Sequence, residues 1–223
     1  NPVDGRIRSG SFGGSVPHVP GSEFAGRVVA VAPGVTEVSV GDDVLGFGTP
    51  AAQADLVLGT AAQLARKPAG VSWELAGGLS GVGQSAVTAI DRINPQAGDR
   101  VVVHGASGGV GTVLVQLLAA RGVTVIGTAG PANQEYLTGL GATAVVYGDG
   151  VAERIAAAAG GPVAASIDLA GTTEAGDYAR GVLAAGGQAI TLVPETAQSH
   201  RIELVRTARS LAGLQRLLAA VEA

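Results

Sequence analysis

The sequence predicts an α/β protein in which a doubly wound parallel sheet follows a smaller, β-rich domain. Three observations carry this expectation. From residue 100 onward, short apolar runs alternate with helical stretches. Glycines stand where those helices would end, at Gly122, Gly141, Gly160-Gly161 and Gly186-Gly187. The chain also changes character near residue 90, before which the strand signals do not alternate with helices in this way.

Taken in order, Phe24–Ala32 is β-branched and small, Pro33-Gly34 punctuates it, and Gly41-Asp42-Asp43 turns the chain into a second strand, Val44–Phe47. Residues 73–92 read as a helix with Ser72 as N-cap and Glu74 in the first turn. Pro95 and Gly98-Asp99 form a loop. Strands are then expected at Arg100–His104, Val123–Gly127, Thr143–Tyr147, Ala164–Leu169 and Gln188–Val193, with a sixth at Arg201–Val205. Helices are expected at Val110–Arg121, Ala132–Leu140, Val151–Ala159, Glu174–Ala184 and Ser210–Val221. Strands this apolar suit a sheet covered on both faces.

Composition excludes several classes of function. The 223 residues carry a net charge of −4, and of the 14 basic residues only Lys67 is a lysine, so no basic patch marks a nucleic-acid surface. The absence of cysteine removes disulfides, thiolate metal ligands and a cysteine nucleophile. Mean hydropathy is +0.37. Even so, an apolar stretch such as Val113–Ala120 contains Gln116 and stops at Arg121, well short of the ~20 residues of a spanning helix. No secretory signal is visible, and a cytoplasmic protein is expected. There is no methionine, and the chain opens on Asn1-Pro2 inside ordered-looking sequence, so an incomplete chain is expected.

The most informative segment is Arg100–Gly111, an apolar run entering a glycine cluster that opens a helix. Backbone N–H groups and the helix dipole at such a turn hold a pyrophosphate. Relative to G-x-G-x-x-G, Ala106 takes the first glycine position, and Gly108 and Gly111 take the others. Ser107, Gly109 and Val110 complete the turn. His104, on the strand, reads as a packed core histidine.

Several motifs in order now resemble one family. Pro20-Gly21-Ser22-Glu23-Phe24-Ala25-Gly26, Val28–Gly34 and Val40–Val44 look like the catalytic domain of medium-chain dehydrogenases/reductases. Asn1–Asp4, Ile7–Gly10, His104–Gly111 and Ile126–Gly130 resemble its zinc-free, zeta-crystallin-like quinone oxidoreductase branch. The resemblance implies a partial GroES-like catalytic domain over residues 1–90 and a Rossmann domain over 91–223, both incomplete at their outer ends. Zinc-dependent relatives place Cys, His and Cys where Asn1, Ser22 and Gly81 stand, so no metal is expected. Glu23 remains, read as a partner for backbone or arginine.

The implied reaction is hydride transfer from NADPH, with NADH as the alternative, to a quinone or an α,β-unsaturated carbonyl. An enoyl-thioester reductase of lipid or polyketide metabolism is the other enzyme reading, and an NADPH-binding protein with little turnover is the third. By resemblance Asn1 lies near the nicotinamide and donates to the substrate oxygen. Ser85 matches a family Thr near the same ring, or bonds back into its own helix. Arg6, Phe12 and Gln53 stand where many quinone reductases carry tyrosines. Thr128 takes the position that selects NADP over NAD, with Gly130, Asn133 and Gln134 as further phosphate contacts. Tyr147 either stacks on adenine or is buried at a strand end. Asp168 meets the nicotinamide ribose or stabilises a turn before Ala170-Gly171, and Val193-Pro194 orient the carboxamide. A homodimer is expected, pairing through Arg201–Val205.

Overall fold

The computed structural model describes residues 2–10 and 19–222, and its chain separates into two compact units. The first takes in residues 1–84 together with 209–223, and the second residues 85–208. Sequence places a boundary near 90. The division instead falls inside one long helix, and the last helix of the chain packs with the N-terminal unit.

The first unit holds α1 (Pro2–Arg8) and a three-stranded antiparallel sheet of β1 (Glu23–Arg27), β2 (Asp43–Phe47) and β3 (Leu64–Arg66). The central strand β2 is the buried one, with Val44, Leu45 and Phe47 in the core. β1 stops at Arg27, short of the expected Ala32. Beyond it Val28 is tied into the Gly41-Asp42 turn, and Val29 points to solvent. β3 has three residues and no alternation long enough to read. The long helix α2 (Trp73–Ile93) starts in this unit, and α8 (Leu211–Glu222) buries Leu214, Leu217 and Leu218 within it. Gly83 admits α8, because a Cβ there would strike the Leu217 side chain.

The second unit is a six-stranded parallel sheet in the order β6-β5-β4-β7-β8-β9. The strands are β4 (Arg100–His104), β5 (Thr124–Ala129), β6 (Ala142–Val146), β7 (Ala165–Asp168), β8 (Gln188–Thr191) and β9 (Glu203–Leu204). The helices between them are α3 (Gly109–Ala119), α4 (Gln134–Gly139), α5 (Val151–Ala159), α6 (Thr173–Ala184) and α7 (Pro194–His200). Each βαβ step crosses over in parallel, as alternating apolar strands and helices require. Among its buried clusters, Val101, Val103, Leu114, Leu118 and Ile167 belong to one, and Val102, Ile126, Val151 and Ile155 to another. Alternate residues of β4 thus point to opposite faces.

The helix α7 is absent from the sequence reading, which ran a strand on to Val193. The strand ends at Thr191 because its own hydroxyl accepts the Val193 N–H at 2.9 Å, and Pro194 then opens the helix. The last part of α2 is stitched to the chain after β8 along one helical face. Arg92 pairs with Glu203, Thr88 accepts the Ala208 N–H at 3.1 Å, and Ser85 meets Thr207.

Candidate cofactor site

The strand order reverses at β4, where the chain after β4 goes one way and the chain after β7 the other. Such a switch point leaves a crevice at the carboxyl ends of the strands. The β4–α3 turn occupies it. Gly105 is left-handed, with φ +72°, and a Cβ there would lie 3.2 Å from the Ala170 nitrogen. Gly108 is extended and caps α3, its carbonyl accepting the Thr112 N–H at 2.8 Å. Being glycine, it puts no side chain over the first N–H groups of the helix. Those of Gly109, Val110 and Gly111 have no acceptor within the helix and carry the positive end of its dipole. Gly111 brings α3 against the turn. A Cβ there would meet the Ala106 carbonyl oxygen, with the Ala106 Cα and carbonyl carbon at 2.6 Å.

The structure gives Ala106 a packing role. Its side chain is fully buried, a Cβ at Gly127 would lie 2.9 Å from it, and its N–H donates to the Thr128 carbonyl at 3.0 Å. Thr128 also moves. It is 2% exposed and faces His104, its Oγ1 3.5 Å from the imidazole Nδ1. β5 runs on to Ala129, past its expected end at Gly127, so Thr128 lies inside the strand and is buried like its neighbours. The accessible residues beyond β5 are Gly130 and the Pro131–Asn133 turn. Asn133 reaches Ser107 at 3.4 Å, joining the loops after β4 and β5. Gln134 donates its amide to the carbonyls of Ala129 and Gly130 at 3.0 and 3.1 Å, which braces the loop. Tyr147 is 57% exposed, and its ring lies beside Gly130, where a Cβ would stand 3.2 Å from the phenol oxygen. Of its two readings, burial is removed.

Across the switch point, Asp168 is fully buried and accepts three hydrogen bonds. The N–H groups of Ala170 and Gly171 donate to Oδ1, each at 2.9 Å, and Thr191 Oγ1 donates to Oδ2 at 2.7 Å. Both oxygens therefore serve the turn. Gly171, with φ +73°, packs against Val193, so Ala170-Gly171 and Val193-Pro194 form one braced pair of loops. Thr191 is not among the residues the sequence singles out, although a threonine closing an apolar strand is a visible signal. The register that sets it opposite Asp168 is not visible in sequence. Ser85 Oγ lies 2.7 Å from Thr207 Oγ1, a partner outside its own helix. Asn1 and Phe12 lie outside the described residues.

His104 is 1% exposed, stacked edge-on against Tyr178 at 5.3 Å, and its Nε2 has no partner. Burial pushes its pKa down from 6.5 to about 4, with the Asp168 charge opposing. The unfolded chain takes up this proton near 6.5 and the folded chain near 4, so the unfolded state holds more protons in between. Stability from this group is complete above pH 6.5 and is lost as pH falls toward 4, by roughly 3 kcal/mol at most. Urea titrations of His104→Leu should show a smaller loss across that window than the parent. An equal loss in both proteins would show that His104 does not carry it.

In the first unit, the Glu23 carboxylate accepts the Gly81 N–H, and the exposed Arg209 donates to Ser22 Oγ at 2.9 Å. Glu23 is thus a backbone partner. Ser22 and Gly81 stand where zinc-dependent relatives place a His and a Cys, and a hydroxyl engaged by Arg209 and a residue with no side chain do not fit a zinc ion.

Comparison with known proteins agrees with this architecture. Residues 1–56 match the alcohol dehydrogenase GroES-like domain, and residues 109–212 match the zinc-binding dehydrogenase family. The chain is 42% identical over 122 residues to mycoketide-CoA synthase of Mycobacterium tuberculosis, covering 54% of this chain and 3% of the synthase. It is 36% identical over 141 residues to quinone oxidoreductase of Rattus norvegicus, covering 58% of this chain and 41% of that protein. The chain therefore spans less than half the length of these curated relatives. A mycobacterial protein solved in complex with NADPH superposes with a TM-score of 0.84 at 29% identity, over 100% of this chain and 77% of the other. With a GroES-like match, a zinc-binding dehydrogenase match and a parallel sheet switched at a glycine turn, this chain belongs to the medium-chain dehydrogenase/reductase superfamily.

Proposed function

We propose that the chain is an NADPH-dependent, zinc-independent reductase of quinones or activated enones. The observation that carries this is the seat at the start of α3, where Gly108 leaves space for a pyrophosphate, Gly111 lets the helix close on the turn, and three backbone N–H groups face the seat. Ser107, Asn133 and the Tyr147 phenol surround the end of that seat nearest Gly130. Residues Thr128–Gln134 include no carboxylate to repel a 2′-phosphate, which favours NADPH over NADH. Tyr147 offers its ring to the adenine end. In this reading Gly171 and Val193 serve the nicotinamide end, supported by the hydrogen bonds with which Asp168 braces their loops.

Bound NADPH supplies the hydride, and a quinone takes it with one proton from water to give hydroquinone and NADP+. A conjugated acceptor spreads the arriving charge itself, so the chain's tasks are orientation and exclusion of water. Asn1 is the proposed donor to the acceptor oxygen. Ser85 positions through its bond to Thr207. The reading carries with it a cytoplasmic homodimer, in contact along the edge strand β9.

The 42% identity to mycoketide-CoA synthase favours a second reading, reduction of an enoyl thioester. One experiment separates the two. NADPH oxidation is followed with the chain against benzoquinones, small enones and an enoyl thioester, beside fluorescence titration with NADPH and NADH. Quinone or enone turnover with at least tenfold tighter NADPH binding, about 1.4 kcal/mol, is expected. Turnover confined to the thioester would move the function to the second reading. Tight NADPH binding without turnover on any acceptor would overturn both.

A further inference from the structure

The helices α5 and α6 cover one face of the second unit's sheet without closing over it. Between them runs a groove of about 810 Å³, bounded at its ends by the Gly148–Gly150 turn and the Gly161–Val163 connection. It is lined by the face of the sheet domain that bears α5 and α6, and none of the residues assigned above to the cofactor lines it. Its apolar lining includes Val151, Val163, Tyr178 and Val182.

Two features describe what fits there. Small residues line both walls four positions apart: Ala152 and Ala156 on α5, and Gly181 on α6 with Ala185 capping its end. A Cβ added at Gly181 meets nothing within 4 Å, so the space above α6 is open. Small walls let a third helix approach closely, and an amphipathic helix laid in an apolar groove is a recurrent mode of recognition. The rim, in turn, carries charge of one sign. Asp149, Glu153, Glu174 and Asp177 line the groove, and no arginine or lysine does. Two arginines stand beside it, Arg154 next to Gly150 and Arg100 next to Gly161, with their N–H groups turned to backbone carbonyls. Arg154 donates to the carbonyls of Val146, Gly148 and Asp149, and Arg100 donates to the Ala159 carbonyl. Of the four acids, Glu174 accepts the Gly148 N–H, and Asp177 stands 3.5 Å from the imidazole of His200.

We infer that this groove docks a basic amphipathic helix of a partner protein, with its apolar stripe between α5 and α6 and its lysines or arginines against the acidic rim. Charge complementarity of this kind sets register and speeds encounter. The inference concerns a surface separate from the glycine turn and does not depend on the proposed reaction.

The test uses a synthetic 18-residue peptide with leucine and alanine at i, i+3, i+4 and i+7 and lysine on the flanks. A matched peptide carries glutamate in place of lysine. Binding to the chain is read by fluorescence anisotropy and located by amide chemical shifts. The lysine peptide is expected to bind, with shifts confined to α5 and α6, and to weaken as salt rises. Gly181→Leu fills the open space with a better helix former. It should weaken binding at least tenfold without lowering thermal stability and with the NADPH titration unchanged. Glu153→Lys/Asp177→Lys should do the same by reversing the rim. No binding of the lysine peptide, equal binding of the glutamate peptide, or equal binding to Gly181→Leu would overturn the proposal. Self-association lost in Gly181→Leu would assign the groove to a second copy and overturn it as well. Binding of an alkylammonium without the peptide would assign the groove to a small cation, with the same consequence.

Discussion

Gly111→Val is expected to lower the melting temperature by roughly 6–12 °C and to abolish measurable NADPH binding. The added side chain has nowhere to go. Its first carbon would stand 2.6 Å from the Ala106 Cα and carbonyl carbon, and these are backbone atoms in a turn that is itself hydrogen-bonded to Thr128. Either α3 moves away from β4 or the turn opens. Overpacking of this kind costs on the order of 3 kcal/mol, and for a chain of this size each kcal/mol is worth about 2–4 °C. The shift also displaces the three N–H groups that form the anion seat. Gly139→Ala is the control, because a Cβ there meets nothing within 4 Å in helix α4, and it should leave both properties unchanged. Calorimetry and NADPH fluorescence titration read the two effects. A Gly111→Val protein that melts and binds like the parent would remove the close approach of helix and turn as the basis of the site.

Asp168→Ala is the second large effect. The carboxylate is fully buried and satisfies two backbone N–H groups and one hydroxyl. Its removal leaves three donors without an acceptor, at roughly 1–3 kcal/mol for each that stays buried. A loss of about 3–5 kcal/mol is expected, with NADPH binding weakened because the Ala170-Gly171 and Val193-Pro194 loops lose their common brace. Asp168→Asn keeps one acceptor oxygen and should fall between parent and alanine. Urea denaturation beside cofactor titration measures both. An Asp168→Ala protein within 1 kcal/mol of the parent would mean that Thr191 and the loops hold themselves.

Strand and helix identity in the second unit was legible because each element carries its own period and its own stop. Arg100–His104 and Val151–Ala159 coincide with the expected ranges, and Gly160, left-handed at φ +60°, ends α5 where a C-cap glycine was expected. What sequence could not supply was which way a residue points at a strand end. The strand expected to end at Gly127 runs on to Ala129, which carries Thr128 into the sheet beside His104, and only the pairing of β5 with its neighbours shows that extension. The partners of Ser85 and Asp168 were illegible for a related reason. Thr207 is 122 residues from Ser85 and Thr191 is 23 from Asp168, and such contacts depend on strand order. In the first unit, β3 and the docking of α8 lacked a local signal, because a three-residue strand is shorter than one readable period.

By itself, the sequence determined the class of the protein. Alternating strands and helices, the glycine turn at 105–111 and the family motifs around Ser22 and Ile126 lead to a parallel sheet with a dinucleotide turn, because propensity, periodicity and turn chemistry act over a few neighbouring residues. The tertiary structure decided which residues face a ligand. It turned Ala106 and Thr128 inward, left Tyr147 at the surface, committed Asp168 to its turn and left a groove between α5 and α6. Those outcomes follow from the order and register in which strands meet, and hydrogen bonding between distant segments, rather than local preference, sets that order.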